Sequence, residues 1–201
     1  MKANKSAVET TTCLAMQRYV RDKVRFFTTF VKSPREVGSV TPSSARLSSR
    51  MLEGIDWAEV TSVVELGAGT GVFTKKLKQK ISPNTNVFVY EQDVKLRADL
   101  QERFPSFHHH CDAQCLSKDL KQAGVEQVDV IISGLPFMNF PQELRERIVA
   151  EVMQSLKPGG AFIAFQYSLQ MRKQLKETFR EVSISFEPLN IPPAFVYRCR
   201  K

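Results

Sequence analysis

A short β-branched run that passes straight into three closely spaced glycines constrains this chain more than any other feature. Val63 to Phe73 reads VVELGAGTGVF, with an acid at Glu65 and glycines at positions 67, 69 and 71. Glycine accepts positive φ at no steric cost and lets a backbone approach a bound group closely. An ExGxGxG turn between a predicted strand and a predicted helix is therefore a place where an α/β fold holds a ligand. A glycine-rich turn alone is ambiguous, since such loops cradle several kinds of nucleotide. The sequence around it narrows the choice.

From Val60 onward, short apolar runs alternate with helix-like stretches, as in an α/β sheet. The strand candidates are 62–66, 87–91, 107–110, 128–133, 161–167, 182–186 and 194–198. Helical pattern fills 71–80, 93–104, 141–156 and 169–180. Runs such as VDVIIS are apolar almost throughout, which suits strands covered on both faces. With 201 residues, 42% of them apolar, one globular domain is expected. We divide it into an N-terminal helical region, 1–54, and a ligand-binding domain, 55–201.

The N-terminal region differs in character. At 100° per residue, Met16, Val20, Val24, Phe27 and Val31 form one stripe, while Arg18, Arg21, Arg25 and Lys32 gather on the opposite side. Two roles are open to this basic amphipathic helix: its stripe packs on the domain, or it lies on an anionic surface. Ser33-Pro34 breaks the helix, and Thr41-Pro42-Ser43-Ser44 opens a second, short one running to Glu53. A formal net charge of +8 makes a polyanion a plausible partner, whether RNA, DNA or an anionic membrane. There is no apolar run of spanning length, the N-terminus lacks a secretory core, and the four cysteines are irregularly spaced, so a cytoplasmic protein with reduced thiols is expected.

Two acids extend the ligand-binding reading. Glu91 closes the second strand, where a carboxylate accepts both hydroxyls of a ribose, and Asp112 follows the third, where it can accept from an adenine amino group. The run from Val60 to the C-terminus resembles class I S-adenosylmethionine methyltransferases. Leu156-Lys157-Pro158-Gly159-Gly160 followed by AFIAF looks like their helix, turn and fifth strand. The resemblance implies a Rossmann-like α/β fold with a seven-stranded, mostly parallel sheet whose last strand is antiparallel. It also implies that Glu65, Gly67, Ala68, Gly69, Thr70 and Gly71 surround the methionine part of the cofactor. Glu91 and Gln92 then hold the ribose, Asp112 and Ala113 border the adenine, and Ser133 completes the cofactor set.

The methyl acceptor is read from Ser133-Gly134-Leu135-Pro136-Phe137, just past the fourth strand. Ligands of open α/β sheets meet the carboxyl ends of the strands, so Ser133, Gly134 and Leu135 border the transferred methyl. The segment resembles the asparagine-leucine-proline-aromatic motif of ribosomal RNA adenine dimethyltransferases, but glycine replaces the asparagine that accepts from the target amine. The whole pattern is more similar to the bacterial soluble phospholipid N-methyltransferases, which convert phosphatidylethanolamine stepwise toward phosphatidylcholine. Their likeness lies in FVKSPREVGSVTPSS (30–44), ELGAGTGVFT, SGLPF, LKPGG and FQYS. It implies a phospholipid substrate, a peripheral position on an anionic membrane, and a membrane-associating role for the basic helix. Nucleic acid remains the alternative partner.

Tyr167 either orients a headgroup or is a core tyrosine. Ser43 and Ser44 either bond phosphate or cofactor carboxylate, or cap the second helix. His108, His109, His110, Cys111 and Cys115 crowd together as metal ligands would, but successive extended residues face opposite ways, so no metal is assigned.

Overall fold

In the computed structural model, residues 42–201 are described, with side chains from Arg46 onward; the predicted basic helix, with Arg18, Arg21, Arg25 and Lys32, lies outside them. The β-branched run before the glycines becomes the central strand. β1 (Ser62–Leu66) is buried at all five positions, as a strand covered on both faces must be. Around it, β2 (Asn86–Tyr90), β3 (His108–His110), β4 (Val128–Ser133), β5 (Leu156–Gln166), β6 (Glu181–Glu187) and β7 (Ala194–Arg200) form one sheet. The order is β3-β2-β1-β4-β5-β7-β6. β7 runs antiparallel to both β5 and β6, and the other pairings are parallel.

The helices are α1 (Pro42–Leu52), α2 (Val72–Lys78), α3 (Val94–Arg103), α4 (Leu116–Gln122), α5 (Gln142–Ser155) and α6 (Arg172–Thr178). Leu47, Met51 and Leu52 of α1 join Leu77 of α2 and Leu100 of α3 in a core with Val63, Val87, Val130 and Ile163. α1, assigned to the N-terminal region from sequence, thus contributes to the core of the sheet, where Trp57 Nε1 also donates to the Leu52 carbonyl at 3.0 Å. The opposite face of the sheet meets α4 through Tyr90 and Asp119, whose side chains bond at 3.2 Å. There Phe162 stacks on Phe179 after α6 and meets Phe137 edge-on.

Two local expectations are corrected. Lys157 to Gly160 is a bulged part of β5 and not a free turn: between the pairs Val128–Leu156 and Val130–Ala161, β5 advances five residues while β4 advances two. The bulge is held from outside the local sequence, because Gly159 N donates to the Lys201 carbonyl and Lys201 N to the Gly160 carbonyl, both at 3.1 Å. α4 was not anticipated. Its seven residues bury only Leu116 and Leu120, too few for a helical period to stand out.

Strand order reverses between β1 and β4: β2 and β3 lie on one side of β1, and β4, β5, β7 and β6 on the other. The crevice at this switch point, at the carboxyl ends of β1 and β4, is where such sheets bind ligands. Leu66 and Ser133 face each other across it.

Candidate functional site

The glycine turn is fastened across the end of β2. Gly67 N and Ala68 N both donate to the Tyr90 carbonyl, at 2.8 and 3.1 Å. Gly67 takes φ 76°, and a side chain there would start 3.0 Å from Leu135 Cδ2. Reciprocally, a Cβ on Gly134 would come within 2.9 Å of the Gly67 carbonyl, while Gly134 N donates to the Leu66 carbonyl at 2.8 Å. The cofactor turn and the acceptor loop therefore touch, backbone against backbone, and only glycine fits at both places. At Gly69 nothing stands within 4 Å of a Cβ position, so this side of the turn is open.

Glu91 lies just past β2, 8% exposed. Its Oε2 accepts from Gly69 N at 2.7 Å and its Oε1 from Asp93 N at 2.8 Å. Burial pushes its carboxyl above the usual range, and these backbone donors oppose the shift. Gln92 is exposed, and its carbonyl accepts from Arg97 Nη1 at 3.3 Å. Asp112 is half-buried at the end of β3, where Oδ1 accepts from Gln114 N at 2.9 Å and opens a short turn, Ala113–Cys115. Glu91 N donates to the His110 carbonyl at 3.0 Å, so the two acids stand on neighbouring strand ends.

Glu65 is different. It is buried within β1, and neither carboxylate oxygen has a hydrogen-bond partner. Burial, with the nearby Glu91 adding to it, pushes its carboxyl up to about 7; the hydroxyl and N–H of Thr74 pull the other way without reaching hydrogen-bond geometry.

On the acceptor side, Ser133 is fully buried, and its Oγ accepts from Leu135 N at 3.2 Å, so its hydroxyl shapes the loop. The Leu135 carbonyl accepts from Gln166 Nε2 at 2.9 Å. Gln166 was not singled out from sequence; its signal is one amide at the end of the otherwise apolar AFIAF run. An aromatic wall was missed as well. Phe73, from the first turn of α2, stacks on Phe165 with centroids 5.9 Å apart. Phe165 in turn meets Tyr167 edge-on at 5.7 Å. Tyr167 is half-buried, which raises its phenol pKa. Sequence proximity could not show that Phe73 and Phe165 share one wall.

The structure brings Glu65, Gly67, Ala68, Gly69, Thr70, Gly71, Glu91, Ser133, Gly134 and Leu135 to the switch point, with Asp112 and Ala113 one strand further out. The histidines find separate partners: His108 stacks on Phe88, His109 Nε2 meets the Phe104 carbonyl at 2.9 Å, and His110 Nδ1 meets Asp119 at 3.2 Å.

The methyltransferase small-domain family matches residues 44–188. The chain belongs to this family. A relative of nearly full length, the ornithine lipid N-methyltransferase of Singulisphaera acidiphila, is 36% identical over 186 residues, covering 90% of this chain and 97% of its own. Among solved structures, the N-methyltransferase NodS of Bradyrhizobium japonicum, bound to S-adenosyl-L-homocysteine, superposes with a TM-score of 0.68 at 14% identity, covering 92% and 97% of the two chains. The 1,6-didemethyltoxoflavin-N1-methyltransferase of Burkholderia thailandensis gives 0.67 at 14%, covering 92% and 90%. At that identity these two establish the shared fold.

The protein is a class I S-adenosylmethionine-dependent N-methyltransferase, and its residues fit that donor. The methyltransferase presents an open glycine turn beside one buried carboxylate with both oxygens unpartnered. Such a group is costly unless a cationic or hydrogen-bonding ligand meets it.

Proposed function

We propose that this methyltransferase methylates the amine of a membrane lipid, with phosphatidylethanolamine as the acceptor. The observation that carries the lipid amine is the ornithine lipid N-methyltransferase matching over nearly the whole of both chains; phosphatidylethanolamine comes from the likeness of residues 30–44 to phospholipid N-methyltransferases. The acceptor loop supports it. Gly134 has no room for a side chain that accepts from a base amine, and the Phe165 ring, which belongs to the aromatic wall, stands 3.6 Å from its Cβ position.

Bound in the turn, S-adenosylmethionine supplies a methyl already activated on a sulfonium sulfur. The glycine turn and Glu65 would border its methionine and sulfonium part, Glu91 would hold its ribose, and Asp112 would border its adenine. Ser133 and Gln166 set the Leu135 backbone, which fixes the angle of approach for the incoming amine. Such positioning can contribute roughly 7 to 11 kcal/mol. Phe73, Phe165 and Tyr167 form a wall whose ring faces attract a substituted ammonium while excluding water.

The amine must arrive neutral. If it titrates near 10.4, as a lysine does, deprotonation at pH 7 costs about 4.6 kcal/mol, which positioning offsets. Burial raises the Tyr167 phenol pKa, so at neutral pH it stays protonated and orients the headgroup by hydrogen bonding without serving as the base.

Among the described residues, no helix is long and apolar enough to cross a membrane. The lipid is met at a surface, and the basic stretch Arg18–Lys32 supplies the attraction to an anionic one. The test is label transfer from S-adenosylmethionine to vesicles of phosphatidylethanolamine, to vesicles of ornithine lipid, and to ribosomal RNA. Transfer to phosphatidylethanolamine supports the reading. Transfer to ornithine lipid alone reassigns the headgroup, and transfer to RNA alone refutes the reading.

A further inference from the structure

All six large hydrophobic side chains that stand exposed among the described residues are Val94, Met138, Leu169, Phe186, Leu189 and Ile191. Single exposed apolar residues are ordinary. Their distribution is not, because every one belongs to the carboxyl end of the parallel strands. Val94 opens α3 after β2, Met138 follows β4, and Leu169 follows β5. Phe186, Leu189 and Ile191 belong to the β6–β7 hairpin. Because β7 is antiparallel, with Phe195 opposite Gln166 and Ala194 opposite Glu187, this hairpin turns at the same end of the sheet as the acceptor loop. The opposite end of the sheet offers a recess of about 370 Å³ lined by polar residues such as Thr61, Asn86, Gln127 and Lys157.

The outward aim of the hairpin is built in. Leu189 and Ile191 are 58% and 85% exposed, whereas Asn190 between them is buried, with Nδ2 donating to the Pro192 carbonyl at 2.6 Å. The neighbouring loops are tied to the same frame: Tyr197 Oη donates to the Ser168 carbonyl at 3.0 Å, and Ser168 Oγ approaches Met138 Sδ at 4.0 Å.

We propose that these loops form an apolar rim that seats in the headgroup layer of an anionic lipid bilayer, setting the mouth of the site against the membrane. The inference deepens the lipid reading and rests on it. Three observations favour a bilayer as the occupant. The rim consists of separate loops around the acceptor entrance, as a planar fluid surface accommodates, and not of one groove. Exposed Arg172 and Lys173 closely follow Leu169, and the chain carries a net charge of +8. Finally, Arg46 of α1 stands at this end as a further cation, pairing with Glu187 at 3.6 Å. An apolar insertion and a basic attraction are the two signals that together hold a protein on a membrane.

The experiment compares the full chain with the Leu189→Asp/Ile191→Asp variant. Sedimentation uses vesicles of phosphatidylglycerol and phosphatidylethanolamine; turnover uses the same vesicles and dihexanoyl-phosphatidylethanolamine below its micelle concentration. The expected result is that vesicle partitioning and vesicle turnover fall about tenfold or more, while turnover on the monomeric lipid and affinity for S-adenosylmethionine stay unchanged. A second variant, Ile191→Trp, is expected to sediment at least as well as the native chain and to show a blue-shifted tryptophan emission with vesicles. Unchanged sedimentation of the double Asp variant, no vesicle-dependent emission shift from Ile191→Trp, or an equal loss on monomeric lipid overturns the rim. Failure of the native chain to methylate either form of phosphatidylethanolamine removes that headgroup and not the rim, and sedimentation still decides whether the rim binds a bilayer.

Discussion

Glu65 is a buried acid without a partner, and its titration has a calculable consequence. Its folded pKa of about 7 lies above the ordinary value of 4.5. Between those values the native state binds more protons than the unfolded chain, so stability falls as pH rises through this window. The difference amounts to roughly 3 kcal/mol at 1.36 kcal/mol per pKa unit. Glu65→Gln should flatten that slope, seen as a denaturation midpoint that no longer drops between pH 5 and pH 8. At Glu91 the expectation concerns the ligand. Glu91→Ala should weaken S-adenosylmethionine by at least about tenfold, checked by titration calorimetry, since it removes the partner of Gly69 N that holds the glycine turn and the carboxylate we propose for the ribose. Gln166→Ala should lower kcat with little change in cofactor affinity, because Gln166 holds the Leu135 carbonyl and does not touch the glycine turn. Glu91 was legible from sequence because its place at a strand end is local. Gln166 and Phe73 were not, because their partners are distant in the chain.

Among the elements, the contact between two loops matters most. A Cβ at Gly134 would press on the Gly67 carbonyl, and backbone cannot swing away as a flexible side chain can. Gly134→Ala should therefore leave the circular dichroism spectrum intact while weakening cofactor binding about tenfold, read in the same calorimetric titration; unaltered affinity would show that the turn yields freely. From sequence, Gly134 is only a missing asparagine, and the contact supplies the physical reason for it. Five of the strands, β1, β2, β4, β5 and β7, were legible for a simpler reason: each holds a dense apolar run, whereas β3 is three histidines and β6 alternates polar with apolar. The bulge at Lys157–Gly160 was hidden because its register is set by β4 and by Lys201, neither of them near it in sequence.

For the whole molecule, charge and sheet polarity act together. If the basic stretch and the rim both engage lipid, vesicle association should weaken as salt rises from about 0.05 to about 0.3 M but not vanish, because screening shortens the reach of charge and leaves apolar insertion intact. Complete release by salt would assign all of the attachment to charge. This division of labour was half legible: the basic stripe is periodic in sequence, whereas the rim is assembled from loops on four separate strand ends and exists only in three dimensions.

The antiparallel placement of β7 between β5 and β6 has a consequence for synthesis. The ribosome delivers β5 and β6 before the strand that must lie between them, so the β5 edge stays uncovered until residues 194–200 emerge. An uncovered edge invites mispairing. While domains generally acquire structure as they are made, this sheet closes only as its last strand arrives.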